Sequence, residues 1–208
     1  MPDEPGPRVA PVLPPDWGEA AHDALNTFPA ARDFLLAAWR SGQGGIQGLN
    51  LMGTQLLHPT LAKAALPLNA HIAKGITLST RVRELLILRI AWLQRSEYEY
   101  VQHIRQGKLV GLRDEEIERV QQGPDAAGWD PLDADLLRAV DELHSVACIQ
   151  RATWERLACR FDIKQLMDLI YIVGCYGIMS MFCNSCGVAL EAGQTPLDPT
   201  TRARMHAQ

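Results

Sequence analysis

The sequence predicts an all-α protein, a single helical domain of about eight helices. Three observations carry that expectation. Apolar residues recur at helical spacing along most of the 208 residues, with no sustained alternation and no Asn-Gly hairpin. Leu and Ala are abundant while aromatic residues make up only 6%, which favours helices over a β-sandwich. Hydrophobic residues at 47% and charged residues at 21% are ordinary globular usage, so a chain of this length buries a core without metals or disulfides.

The elements follow in order. Residues 1–18 form a Pro-rich arm, with Pro2, Pro5, Pro7, Pro11, Pro14 and Pro15. Proline fixes φ and has no amide donor, so this arm is neither helix nor inner strand. It is expected to lie extended on the surface or on a neighbouring subunit. It has no basic start and no apolar run, and so does not read as a secretory signal. The helical domain is expected over 19–193. Phe34, Leu35, Ala38 and Trp39 make a stripe ended by the Gly-rich SGQGG. Leu57, Leu61, Ala64, Ala65 and Leu68 make the next, with Pro59 near its start, where a missing donor does little harm.

Thr80 is placed to cap the helix RVRELLILRIAWL, which is apolar on nearly every face and predicted to be buried. Ser96 opens SEYEYVQHIRQGKLVG, closed by Gly111. Asp114, Glu115 and Glu116 then stand in a first turn, where carboxylates suit the helix dipole. After the loop from Gly123 to Pro131, the segment Asp133 to Ile149 holds Leu136, Leu137, Val140 and Leu143 at helical spacing, and Thr153 is placed to cap WERLACRF. The last helix runs from Ile163 through an uncharged stretch, Leu169 to Leu190. That stretch is long enough to cross a bilayer, yet it contains Ser180, Asn184 and Ser185 and has no basic flank. The preferred reading is a central helix buried all round. Residues 194–208 are polar and read as a C-terminal tail.

A net charge of -4 and a pI near 5.9 offer no global basic balance for nucleic acid or an anionic membrane. Five cysteines without a signal peptide point to reduced thiols in the cytoplasm. No cofactor is expected, since SGQGGIQG lacks both the P-loop lysine and the dinucleotide spacing. No metal is expected either: Cys183-Asn184-Ser185-Cys186 is one Cys-x-x-Cys without a second pair. It lies in the uncharged helix, where a cysteine usually behaves as a small hydrophobe.

The chemically informative stretch is Glu84 to His103. Glu84 sits in an otherwise apolar helix, and a buried carboxylate is costly unless paired. Arg81, Arg83 and Arg89 are its candidate partners. Glu99 and His103 are four apart and share a helix face, so a carboxylate stands where it orients an imidazole and raises its pKa. That pairing is equipment for general acid–base work. A structural alternative stays open, because Ser96-x-x-Glu99 is also a capping box. His71 is a further candidate for the same pocket. Tyr98 is placed either to contact a substrate or to fill the core.

These residues also carry a resemblance. RVRELLILRIAWLQRSEYEYVQHIRQGKLVGLRDEEIERV resembles the carboxymuconolactone decarboxylase-like family, which includes alkylhydroperoxidase D-type proteins. The likeness extends back through LLHPTLAKAALPLNAHIAKGITLS and, more loosely, forward to FCNS. It implies an all-α fold, a homo-oligomer (trimer or hexamer) and a site on the helix that begins at Ser96. In the peroxidase branch, two cysteines stand where this chain has Ser96 and Glu99, with its glutamate and histidine matched by Glu84 and His103. Without those thiols the disulfide chemistry of that branch is lost at this place. The decarboxylase branch has a glutamate four residues before its histidine, as Glu99 and His103 are.

The expected activity is therefore that of a cofactor-free lyase or isomerase acting on a small carboxylated lactone or a keto or enol acid. Glu84, Glu99 and His103 are its expected catalytic residues, and Ser96, Tyr98 and His71 its expected substrate contacts. The alternatives are a thiol peroxidase working through Cys183 and Cys186, and a non-catalytic binding or scaffold member of the family.

Overall fold

The structure, a computed structural model, describes residues 7–207, so Pro2 and Pro5 of the arm lie outside the described residues. Among the described residues, a single turn of tight helix, Pro14–Asp16, precedes eleven α-helices. They are α1 (Glu19–Leu25), α2 (Pro29–Arg40), α3 (Leu49–Gln55), α4 (Pro59–Lys74), α5 (Thr80–Leu93), α6 (Glu97–Leu109), α7 (Asp114–Gln122), α8 (Pro131–Val146), α9 (Arg151–Ala158), α10 (Ile163–Cys186) and α11 (Pro199–His206). No strand occurs among the described residues. The all-α class is as expected. The three helices beyond the expected eight, α1, α3 and α11, have only seven or eight residues, about two turns, too short to display a period.

The chain divides into two compact units. One takes the residues up to Gly75 together with 182–196. The other takes Ile76–Met181 together with the residues from Leu197 on.

In the first unit α1 packs against α4 and α2, and α3 packs against α4, around Trp17, Leu25, Leu35, Ile46 and Leu66. The arm lies on this unit. The Val12 amide donates to the Gly53 carbonyl at 3.2 Å, and Trp17 Nε1 donates to the Val12 carbonyl at 3.0 Å. At the end of α10, Arg8 Nη1 donates to the Ser185 carbonyl and the Val9 amide to the Cys186 carbonyl, each at 3.2 Å. Carbonyls at a helix C-terminus have no partner within the helix, and the arm supplies one. A Cβ at Gly53 would collide with the Val12 carbonyl, so glycine is what lets the arm approach.

In the second unit α5 is the hub, packed against α6, α7 and α8. Leu85, Leu86, Ile87, Leu88, Ile90 and Trp92 are all buried, as its all-round apolar pattern predicts. Its cap is Ser79 rather than Thr80: Ser79 Oγ accepts the Val82 amide at 3.2 Å. Thr153 also caps nothing. It lies inside α9 and donates to Glu142 Oε1 at 2.7 Å. Ahead of α5, the amide and hydroxyl of Thr77 donate to Asp168 Oδ2 on α10, at 2.6 and 2.7 Å.

Two expectations are corrected in this unit. The segment read as a polar tail contains α11, capped by Asp198 and tied down by Arg202 Nη2, which donates to Glu97 Oε1 at 2.9 Å. Its Met205 is fully buried, an anchor that one apolar residue in a polar sequence does not advertise. Helix α10 is not buried all round. Leu169, Ile172 and Val173 face the interior, but Ile163, Met167, Ile170, Tyr171, Ile178 and Met181 are exposed, at helical spacing along one face. By length and composition alone, α10 is also long and apolar enough to cross a membrane.

Candidate active site

Three helices of the second unit converge on one imidazole. Glu84 and its neighbour Arg83 come from α5, Glu99 and His103 from α6, and Cys175 and Tyr176 from α10. The tight α5–α6 connection sets the geometry. Arg95 takes a left-handed backbone conformation, φ 56°, and the Ser96 amide donates back to the Ala91 carbonyl at 2.9 Å. The chain thus reverses at once, and the face of α6 carrying Glu99 and His103 meets Glu84 on α5.

The Glu84 carboxylate is 1% exposed and fully engaged. Arg83 donates to its Oε1 through Nε and Nη2, both at 2.8 Å, and His103 Nδ1 lies 2.6 Å from its Oε2. The other imidazole nitrogen, Nε2, stands 3.7 Å from Glu99 Oε2, beyond ordinary hydrogen-bond length. Of the three arginines that sequence offers Glu84, Arg83 is the partner. Arg81 instead joins Asp133 and Glu116, and Arg89 joins Asp141 and the Val120 carbonyl. Sequence spacing favours Glu99 as the residue that holds the imidazole. The structure gives that hold to Glu84, nineteen positions from His103 and therefore invisible to a rule about helix faces.

The electrostatics follow from these contacts. Burial alone would raise the Glu84 pKa, but His103 and then Arg83 outweigh it and hold the carboxyl below its ordinary value. Burial likewise opposes the charged form of His103, and the Glu84 contact, then the Glu99 charge, raise its pKa above the ordinary value. The Glu84 contact thus favours the imidazolium form of His103, which lies between the Glu84 and Glu99 carboxyl groups. Next to them, burial and the Glu99 charge push the Cys175 thiol up to about 11. Burial, Glu99 and Glu84 push the Tyr176 phenol well above its usual range. Both stay protonated. Tyr176 meets His103 edge to face, with ring centroids 4.9 Å apart at 88°.

The expected substrate contacts separate. Ser96 is the N-cap of α6 but not a capping box: its hydroxyl is fully buried and has no hydrogen-bond partner among the described residues. Tyr98 is buried in α6. His71 lies on α4 of the first unit, exposed, with its ring over Gly75 at the end of that helix. Cys183 is buried and Cys186 half-buried, neither of them in a disulfide, both in the first unit.

Cys175 and Tyr176 belong to the site although sequence spacing favours packing for them. No periodicity rule links residue 103 to residue 176, and a tyrosine within an apolar helix reads as core. Among the described residues, no group of three or more His, Cys, Asp and Glu side chains is arranged to hold a metal. An open groove of about 620 Å³ between α8 and α9 is lined by Asp135, Arg138, Glu142, Thr153 and Arg156 and contains none of the candidate residues.

Residues 59–142 match the Carboxymuconolactone decarboxylase family model, a span that includes Glu84, Glu99 and His103 but not Cys175 or Tyr176. No curated protein matches the chain. Among solved structures, an uncharacterised peroxidase-related protein from Silicibacter sp. TM1040 superposes with a TM-score of 0.68 at 13% identity, covering 99% of this chain and 100% of that one. An alkylhydroperoxidase AhpD core protein from Ralstonia eutropha JMP134, also peroxidase-related and uncharacterised, gives 0.66 at 17% identity over 80% and 90%. A protein of unknown function from Agrobacterium tumefaciens gives 0.60 at 16% identity over 69% and 96%. At these identities the likeness is one of fold.

Proposed function

We propose that this chain is a member of the carboxymuconolactone decarboxylase family, whose model residues 59–142 match, and that it is a cofactor-free lyase or isomerase acting by acid–base chemistry on a small carboxylated lactone or a keto or enol acid. The observation that carries this reading is the asymmetric hold on His103. Glu84 takes Nδ1 at 2.6 Å and fixes the ring, while Nε2 is left 3.7 Å from Glu99 as the nitrogen free to exchange a proton. In an isomerisation, Nε2 removes a proton from the carbon next to a carbonyl and returns it to another carbon of the same enolate. In a decarboxylation, the electron pair of the breaking C–C bond becomes the enolate, carbon dioxide leaves, and Nε2–H protonates the carbon. Neutral His103 suits the abstraction, and the imidazolium form that Glu84 favours supplies the proton of the second reaction and stabilises the enolate in both.

The test is solvent-deuterium incorporation into a panel of lactones and keto acids, followed by NMR. Incorporation by the wild type and none by His103→Gln, with unchanged circular dichroism, is the expected result. Equal incorporation by both proteins removes the reading.

The same reading includes a homo-oligomer, a trimer or hexamer, and the exposed apolar face of α10 supports it.

A second reading takes its support from the peroxidase-related structural neighbours: a peroxide-consuming, thiol-dependent activity. It would draw on Cys183 and Cys186, or on Cys175, whose raised pKa is the opposite of what a nucleophilic thiolate needs. Catalytic turnover of hydroperoxide that is lost in the corresponding Cys→Ser variants would favour it.

A further inference from the structure

We propose that Tyr176 is a positioning residue: its ring bars the one swing left to the His103 imidazole, and so keeps Nε2 clear of Glu99 and open to substrate. The inference rests on the acid–base reading above, in which Nε2 moves the proton, and says what keeps that nitrogen in use.

The first argument is the gap itself. Nε2 stands 3.7 Å from Glu99 Oε2, whereas a hydrogen bond between an imidazolium and a carboxylate closes to about 2.8 Å. The Glu99 side chain is 3% exposed and that of His103 13%, so little water screens their attraction. A movement of about 1 Å would join them, and a joined Nε2 no longer delivers its proton to a carbon. Something holds the pair apart.

The second argument is what holds it. The imidazole is tied to the chain at one end and to Glu84 Oε2 through Nδ1, at 2.6 Å. A hydrogen bond at a single atom is a hinge. It places Nδ1 and leaves the ring able to swing about the line from the chain to that atom, and Nε2 is the nitrogen off the line. Tyr176 stands against the imidazole with 4.9 Å between ring centroids and 88° between planes, near the short limit for an aromatic pair. A perpendicular ring this close leaves the imidazole no room to turn without collision. Tyr176 comes from α10, so it does not move with α6, which carries both His103 and Glu99. Glu99 raises the phenol pKa more than Glu84 does, as expected of a phenol on the Glu99 side of the imidazole. The charged and titratable groups around that imidazole are Arg83 and Glu84 from α5, Glu99 from α6, and Cys175 and Tyr176 from α10. Cys175 and Tyr176 stay protonated and Glu84 already holds Nδ1, so Glu99 is the anion that a displaced Nε2 meets.

The test is a double-mutant cycle read by NMR titration of the His103 ring nitrogens in nitrogen-15-labelled protein. Glu99→Gln is made in the wild type, in Tyr176→Leu and in Tyr176→Phe. In the wild type Glu99 acts on the imidazole across the gap, so Glu99→Gln lowers its proton affinity. In Tyr176→Leu the imidazole closes on Glu99, and the same substitution is expected to lower that affinity at least about tenfold further. Tyr176→Phe keeps the ring and is expected to match the wild type in this titration, since the hydroxyl has no part in the stop. An effect of Glu99→Gln that is equal in the wild type and Tyr176→Leu overturns the inference. So does a Tyr176→Phe that behaves as Tyr176→Leu. One measurement needs no variant. On the acid side of the wild-type titration the Nδ1 proton is expected far downfield, as in a short hydrogen bond, and the Nε2 proton is not; a far-downfield Nε2 proton overturns the inference as well. Deuterium incorporation is a separate readout. A ring-dependent coupling to Glu99 without incorporation keeps Tyr176 as the stop and removes the acid–base reading. Incorporation without that coupling does the reverse.

Discussion

Glu84 divides its two carboxylate oxygens between a guanidinium and an imidazole: Oε1 accepts from Arg83, and Oε2 lies 2.6 Å from His103 Nδ1. One buried acid thereby fixes the ring, its tautomer and its charge. Glu84→Gln keeps the shape and removes the charge. The His103 pKa is then expected to fall toward or below the ordinary value of about 6.5, because burial is left opposed only by Glu99. NMR titration of the His103 ring carbons measures it.

The pair also sets a pH window for stability. The folded-state pKa of His103 is raised, so its contribution is full below about pH 6.5 and is lost as the pH rises through the folded value. The Glu84 pKa is lowered, so its contribution is full above about pH 4.5 and is lost as the pH falls through its folded value. The two contributions overlap between these limits. The difference in melting temperature between wild type and His103→Gln is expected to be greatest there and to shrink toward alkaline pH. A difference that grows toward alkaline pH would contradict the assigned sign.

Arg89 is the most deeply committed arginine of α5. It bonds Asp141 through Nε and Nη2 at 2.6 and 2.8 Å and the Val120 carbonyl through Nη1 at 2.7 Å. Arg89→Met keeps the aliphatic stem but leaves Asp141 without its guanidinium. A loss of about 3 kcal/mol is expected in denaturant unfolding, provided the transition is two-state.

Gly53 tests the arm. In Gly53→Ala the added methyl meets the Val12 carbonyl, and the arm must shift or leave. Faster proteolysis within residues 7–13 and a melting temperature lower by several degrees are expected. Protease resistance equal to wild type would mean that the arm is held elsewhere.

How much of this was legible in the sequence depends on the range of the interaction. The helical class, the buried α5 and the Glu99–His103 face are local patterns of three or four residues, and spacing reveals them. The Glu84–His103 contact requires knowing how α5 and α6 meet, which turns on the left-handed Arg95. The partner of Glu84 required choosing among Arg81, Arg83 and Arg89 on the same helix, and only packing decides that. Tyr176 reaches His103 from another helix altogether. The open face of α10 escaped for a related reason. An apolar run tells how much surface is greasy, not whether this chain alone supplies enough protein to cover it.

That face has a consequence for any test of peroxide chemistry. Met167 and Met181 on α10 are each 53% exposed, and Cys148 and Cys159 are exposed thiols elsewhere on the surface. Thioethers and thiols in water are oxidised by peroxide without an enzyme, a thioether once on the way to its sulfoxide and a thiol up to three times on the way to its sulfonic acid. The exposed sulfurs alone will therefore discharge several equivalents of oxidant and then stop, with or without catalysis at the active site. Only consumption that continues past one equivalent per methionine and three per cysteine counts as catalysis. Mass spectrometry of the spent protein, counting added oxygens on α10, separates a sacrificial surface from an enzyme.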